Sequence, residues 1–592
     1  MKLENMNNAY ANKKCTNNIY INNKKLSFMK IFKLFPLACA ALMMSACSSD
    51  DPSNGGSTGI NEPQYLSVNI VNVGATPSRA ASEEYENGSA DENKISKVRF
   101  YFFNGDGTPY LIKAPGADGV TGDGTVNWLE ATPGDDNTTS DAPSHVEKIT
   151  NAVLVINGVQ SAAPSAIVAV INPETVDPAV LENNGSMRLS QLRENAVGST
   201  FYKTDGGKVS GFVMSNSVFV NAGSDVCASL VAGHVATSAD KAKANPVDLY
   251  VERVAAKVTA DVDPNAFEKG DGTKWDATQY GTKTAVGKIG AYDVYAVIDG
   301  WGLADENGKA KVEKSVNTAW TDAILGITPW TTYDYRRCFW ESSVEFNAGT
   351  NRPMNHKFND FKANMKAELY TLPNTPDNKI TNVYDNNVTK FLVAATLKYK
   401  DEHDNWHLAE ICRYNGVMIL GVDNLKKQVA LTFSKYYTST GDSKYTQLTK
   451  DDITFAEPTT SMKNYQVTPT LVDNPTKKYY TKSSTGEYTE VSKDKVNDAI
   501  GANKAEIRTE GKAYYYVPIK HLGTTGGLGE YGVVRNHFYK INLTGLTGFG
   551  TPVYNPDTEI DPTVPSYDNT YLAARIKVLQ WRVVNQNVSL GK

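Results

Sequence analysis

The chain has 592 residues, of which 21% are charged, and a net charge of −5; tyrosine outnumbers phenylalanine 32 to 19. No stripe of lysine and arginine stands out, which argues against a nucleic-acid partner. Gly, Thr, Val and Asn recur throughout, a composition that favours strands joined by turns.

Residues 1–28 are rich in Asn and Lys with little periodicity and read as an upstream extension, leaving Met1 and Met29 both open as the true start. From Met29 the pattern is that of a secretory leader, 29–46. Lys30 and Lys33 precede the apolar LFPLACAALMM, and Ser45 and Ala46 supply small residues before Cys47. That apolar stretch of 11 residues is far short of the roughly 20 needed to cross a bilayer as a helix. MSAC reads as a lipobox, with Cys47 diacylated on sulfur and becoming the new N-terminus. Each buried acyl CH₂ contributes about 0.8 kcal/mol, so two or three chains hold a protein firmly on a membrane. The following SSDDPSNGGSTGINEP is a polar, acidic tether.

YLSVNIVNV (65–73) alternates Leu66, Val68 and Ile70 against Ser67 and Asn69, the signature of a strand with one buried face. GATPSRAASEE (74–84) comes next. Pro77 cannot donate to a ladder and Gly74 loosens the backbone, so Arg79 sits in an exposed connector open to a protease. Further strands are expected at 97–107, 152–158, 165–173 and 211–220. One helix is expected, in SMRLSQLRENA (186–196), where Leu189, Leu192 and Arg193 have helical spacing. ATSADKAKANP (236–246) is polar and ends in proline, and places a domain boundary there. VDLYVERVAAKVTADV (247–262) then opens a long alternating strand, with more at 291–303, 391–400, 513–523, 533–546 and 574–584. No βα alternation appears, so the expected fold is all-β, with β-sandwiches at 80–246 and 247–592 and one short helix in the first.

KYYTSTGDSKYTQLTKD (435–451) and KYYTKSSTGEYTEVSKD (478–494) form an internal repeat that reads as two tyrosine-flanked hairpins, either adhesive protrusions or duplicated surface decoration. Chemistry-bearing motifs are thin. GTKTAVGKI (281–289) lacks the spacing and the Ser/Thr of a phosphate loop. EHDNWH (402–407) puts His403 and His407 four apart, but after a strand it reads as a hairpin tip, where such residues share no face. Cys227, Cys338 and Cys412 are too widely spaced for a disulfide framework. No catalytic residue, metal site or cofactor is identified, and nothing supports an enzyme.

The order of these features resembles the type V pilins, or fimbrillins, of Bacteroidales. The features are a lipobox followed by SSDD, an early strand, an arginine connector, KISKVRFYFFNGDG, VDLYVERVAAKV, VVRNHFYKINLTGLTGFG and a terminal IKVLQWRVVNQNVSL. The resemblance runs from Cys47 to Leu590 and is nearest to the shaft subunit of the minor, short fimbriae. It implies two transthyretin-like domains exported as a lipoprotein to the outer membrane. It also implies a trypsin-like, Arg-directed protease cutting between Arg79 and Ala80, so that residues 47–79 are removed with the strand carrying Leu66, Val68 and Ile70. The vacated groove would take the C-terminal segment of an identical subunit. Asn585 and Gln586 would form the crossing, and Asn587, Val588, Ser589 and Leu590 the inserted strand, whose two aliphatic anchors supply only a few kcal/mol, at about 1.5–3 kcal/mol each. Anchor and tip subunits of a cell-surface pilus serving adhesion and biofilm formation are the further implied partners. The alternatives are a tip or anchor subunit of the same pilus, and a surface glycan-binding lipoprotein of a nutrient-uptake system.

Overall fold

The computed structural model describes residues 64–73, 88–115, 121–132 and 146–316, apart from gaps at 160–161, 177, 183–184, 199 and 222–223. It also describes Glu341, residues 356–560 apart from 377–379, 381–387, 442–443, 460–464, 522–526 and 528, and then 571–579 and 584–587. All of these belong to one unit, Thr58–Lys592.

Strands dominate. Eight of them frame the site: Gln64–Val73 (β1), Val146–Ile156 (β2), Val247–Arg253 (β3), Ala256–Val262 (β4), Glu368–Thr371 (β5), Phe538–Thr547 (β6), Tyr571–Leu579 (β7) and Val584–Asn587 (β8). In the first part of the chain a nine-stranded sheet runs Val235–Ala236, β1, β3, Met214–Asn216, Ala166–Ile171, Val98–Phe103, Trp128–Ala131, with β2 paired to β1 and Ser229–Leu230 to Ala166–Ile171. Ala166–Ile171 and Val98–Phe103 are buried at every position, the first as expected of a continuous apolar run in a sheet interior, the second with Arg99 buried and paired to Glu130. In the second part, a five-stranded sheet ordered β5, β4, β6, β7, β8 shares one core with an eight-stranded sheet built around Tyr292–Ala304, Lys390–Lys400 and Lys512–Pro518. The arrangement of the first part recurs there: β1 lies parallel to β3 and antiparallel to β2, and β4 lies parallel to β6 and antiparallel to β5.

Three findings differ from the sequence reading. The alternation of 247–262 is broken: β3 belongs to the first sheet and β4 to the five-stranded one, and Val254 and Ala255, both fully buried, carry the chain across. Val254 N–H donates to Val213 O and Lys257 N–H to His537 O, so each side of the crossing finds a backbone partner in a different half. The polar run 236–246 contains a short helix, Ala239–Lys243, whose N-terminus Ser238 caps; with Pro178–Glu182 it joins the expected helix, found at Leu189–Glu194. Within the second half a third core, from Cys412 to Ile507, lies beneath two helices the sequence reading missed, Val422–Thr432 and Lys493–Gly501. Their buried residues, Leu425 with Val429 and Val496 with Ile500, are spaced i, i+4.

The repeat folds as two hairpins, Tyr436–Ser439 with Thr446–Gln447 and Lys478–Lys482 with Tyr488–Val491, and these pair with each other into one four-stranded sheet. Among the described residues no helix is long and apolar enough to cross a membrane.

Candidate functional site

The first strand is enclosed. On one edge β1 pairs along its whole length with β2, from Gln64 opposite Ile156 to Val73 opposite Val146. On the other it pairs with Val235–Ala236 through Tyr65 and Leu66, then with β3 from Val68 opposite Val247 to Asn72 opposite Val251. Leu66, Val68 and Ile70 have 0% exposure and lie in the core with Leu154, Ile156, Leu249 and Val251. Asn69 faces the other way and its Nδ2 donates to Asp248 Oδ1 at 2.8 Å, tying the parallel pair from the surface side. Alternation put Leu66, Val68 and Ile70 on one face, and all three are buried, but so is Ser67 on the opposite face at 4% exposure. It could not name the neighbours, which come from strands far along the chain.

One consequence of this pairing concerns β2, whose ladder partner among the described residues is β1 alone. Withdrawing β1 leaves an apolar slot with two open walls: an edge of β3 prepared for a parallel strand, and an edge of β2 prepared for an antiparallel one.

Downstream of residues 74–87 the chain is clamped. Glu92 is 1% exposed; its backbone oxygen accepts from Arg253 Nε at 3.3 Å, and its carboxylate accepts from Ser89 N–H at 2.6 Å and from Tyr370 hydroxyl at 2.8 Å. Lys257 Nζ lies 3.0 Å from the same carboxylate. Burial opposes its ionisation, but Lys257, the Ser89 N–H and Arg253 outweigh that and hold the Glu92 carboxyl below its ordinary value. Arg253 also donates to Asn93 and, at 2.9 Å, to Asn536 Oδ1. Residues 88–93 are thus fastened to both halves of the molecule independently of β1.

At the other end, β8 pairs antiparallel with β7 of its own chain, Asn585 opposite Lys577, Gln586 opposite Ile576 and Asn587 opposite Arg575. Cys47, Arg79, Ala80, Val588, Ser589 and Leu590 lie outside the described residues. His403 sits at the tip of the hairpin closed by Lys400 and Trp406, whereas His407 lies in its second strand opposite Tyr399, and the two have different partners: His407 Nε2 bonds Asp401 at 2.7 Å, while His403 Nδ1 is 4.0 Å from Glu402.

Residues 508–587 match the model of the major fimbrial subunit protein type IV, fimbrillin, C-terminal region. This segment is similar to the C-terminal region of fimbrillins. It takes in the strand Lys512–Pro518 and then β6, β7 and β8, so the fimbrillin match ends on the strand that closes the five-stranded sheet. No curated protein matches the chain significantly. Among solved structures, a Bacteroides eggerthii protein provisionally assigned to cell adhesion is similar at 9% identity, covering 89% of this chain and 99% of that one with a TM-score of 0.34. A fimbrial assembly protein from Parabacteroides distasonis is similar at 8% identity, over 72% of this chain and 99% of that one, with a TM-score of 0.22. The tip fimbrial protein Mfa3 from Porphyromonas gingivalis is similar at 9% identity, over 86% and 99%, with a TM-score of 0.26.

Proposed function

We propose that this protein is a structural subunit of a cell-surface pilus, exported as a lipoprotein through Cys47, cut between Arg79 and Ala80 by an Arg-directed trypsin-like protease, and polymerised by strand exchange. The observation that carries the reading is the two-walled enclosure of β1, with Leu66, Val68 and Ile70 in the core. Full burial of three such side chains contributes about 5–9 kcal/mol as an upper bound. The precursor is therefore self-complemented, and the cut product is not. The sheet whose last strand in the chain is β3 and the part of the chain from Ala256 act as the two domains, the second delivering the strand for the next subunit.

The C-terminal segment has the right chemistry for the vacancy. Val588 and Leu590 alternate with Asn587 and Ser589, as Leu66, Val68 and Ile70 alternate with Ser67 and Asn69, so both segments carry an apolar face backed by small polar residues. Asn585 and Gln586, expected from sequence to form the crossing, are instead paired with β7 in β8, so the crossing falls after Asn587 and the inserted segment starts at Val588. The clamp on residues 88–93 supports clean excision, since cutting upstream of it leaves the Glu92, Arg253 and Lys257 contacts intact. Identical subunits are the main partners, with anchor and tip subunits at the ends and the outer membrane as the site of the lipidated precursor. Mass spectrometry of protein stripped from the cell surface tests this. An N-terminus at Ala80 is the expected result; an acylated Cys47 with β1 retained on assembled material overturns it.

A further inference from the structure

The four-stranded sheet made by the repeat has one face in the third core and one face in solvent. Tyr436 and Tyr479 point inward and are buried in that core. Tyr437 and Tyr480, their neighbours in sequence, are directly opposite each other across the ladder and only partly buried, on the outer face. Two more partly exposed rings join them. Tyr445 and Tyr488 stack with centroids 3.9 Å apart and planes at 8°, Tyr480 meets Tyr445 edge-on at 4.8 Å, and Tyr437 meets Tyr488 edge-on at 5.0 Å. Offset and edge-on contacts of this kind fix ring orientation at little entropic cost, since a tyrosine has only two side-chain torsions to lose. None of the four hydroxyls has a hydrogen-bond partner among the described residues.

Among the described residues the unpaired charge on this sheet is mostly positive, three lysines against Glu487, which is exposed in the turn before Tyr488. Lys478 is paired with Glu490 at 3.2 Å. Lys435, Lys444 and Lys482 are exposed and have no carboxylate within ion-pair distance among the described residues, and Lys482 Nζ stands 5.3 Å above the Tyr488 ring. The result, on a chain of net charge −5, is a rigid aromatic surface with free hydroxyls and a local excess of ammonium groups.

We propose that this tyrosine face binds an acidic polysaccharide, with sugar rings lying on the tyrosine faces, sugar hydroxyls meeting the phenol groups, and uronate or sulfate groups meeting Lys435, Lys444 and Lys482. Three features favour an extended glycan. The sheet face lies open to solvent, its tyrosine hydroxyls have no partners among the described residues, and its three unpaired lysines outnumber the single unpaired carboxylate described there, Glu487. Single exposed ion pairs contribute little and are screened by salt, so several weak contacts along a polymer are needed, and the affinity must fall as ionic strength rises. The site resides on the folded subunit and needs no assembly, so its failure and the failure of the pilus reading are separable.

The test measures binding of the purified chain to hyaluronan and chondroitin sulfate oligosaccharides, with dextran as the neutral glycan and polyglutamate as the acidic peptide. Salt-sensitive binding to at least one acidic glycan and none to dextran is expected. Tyr437→Ala with Tyr480→Ala should weaken that binding at least ten-fold. Lys435→Gln with Lys444→Gln and Lys482→Gln should weaken it similarly and flatten its salt dependence; these side chains are exposed, so this variant decides the matter if the tyrosine variant unfolds. Equal binding by all variants, absence of binding to both acidic glycans, or equal and equally sensitive binding to polyglutamate would each overturn the proposal.

Discussion

Replacing Leu66 with alanine separates the precursor from the assembled subunit more sharply than any change elsewhere. Leu66 has 0% exposure and sits where β1 is paired on both edges, opposite Leu154 on one side and Val235 on the other. Removing its three outer carbons in a site that cannot collapse freely costs about 2–5 kcal/mol. For a domain of this size each kcal/mol moves the melting temperature by about 2–4 °C, so the uncut protein should melt roughly 5–15 °C lower. Pili assembled from the variant should resist denaturant as wild-type pili do if, as proposed, β1 has left and another strand occupies its place. Differential scanning calorimetry of the precursor and denaturant titration of isolated pili make the comparison. If the precursor melts unchanged, β1 is not an integral strand; if the pili weaken by the same amount, β1 was never removed.

Arg79→Ala should leave a folded, soluble monomer that forms no ladder on a mild-detergent gel, since its groove stays filled; wild-type ladders would show that cutting at Arg79 is not required. Deleting Val588–Lys592 spares β8 and should leave the precursor's melting temperature within about 2 °C of wild type while abolishing ladders, and a severe loss of stability would mark the segment as an intrachain strand. Complete burial pushes the Glu313 carboxyl up to about 8 against the pull of Arg535, and Glu252 adds an unfavourable charge beside it. It is protonated when folded and ionised when unfolded, so its contribution is fully present below the unfolded value near 4.5 and is lost as pH rises toward 8. Glu313→Gln should therefore gain on the wild type between pH 5 and pH 8.5, by up to a few kcal/mol in urea titrations; parallel pH profiles would refute this.

The parts of the molecule legible in sequence were those governed by local rules. A period of two at Leu66, Val68 and Ile70 marks a face whatever the neighbours are, and the breakers just after it mark its end. Partner choice obeys no such rule: Asn69 meets Asp248 across 179 positions. The change of sheet at Val254 and Ala255 was hidden because VERVAAKV has no Gly, Pro or Asn to mark the crossing, and its charged Glu252, Arg253 and Lys257 are buried like the apolar residues around them. The helices over Val422–Thr432 and Lys493–Gly501 show few apolar positions, yet Ser492, which caps the second by accepting from Lys495 N–H, was a readable start signal. Buried ion pairs such as Lys314 with Glu252, at 2.8 Å and both without exposure, join residues whose proximity only the finished fold creates.

Because β2 has no ladder partner but β1 among the described residues, the proposed excision would strip two strands of their support at once. A cleaved subunit that has not yet met a donor exposes a loose eleven-residue strand beside an open edge, a species prone to mispairing and to further proteolysis. Its useful lifetime is then a kinetic quantity, set by the competition between strand capture and damage. Cutting far from a growing tip would waste subunits, and the arrangement favours a protease that acts where the next donor is already at hand.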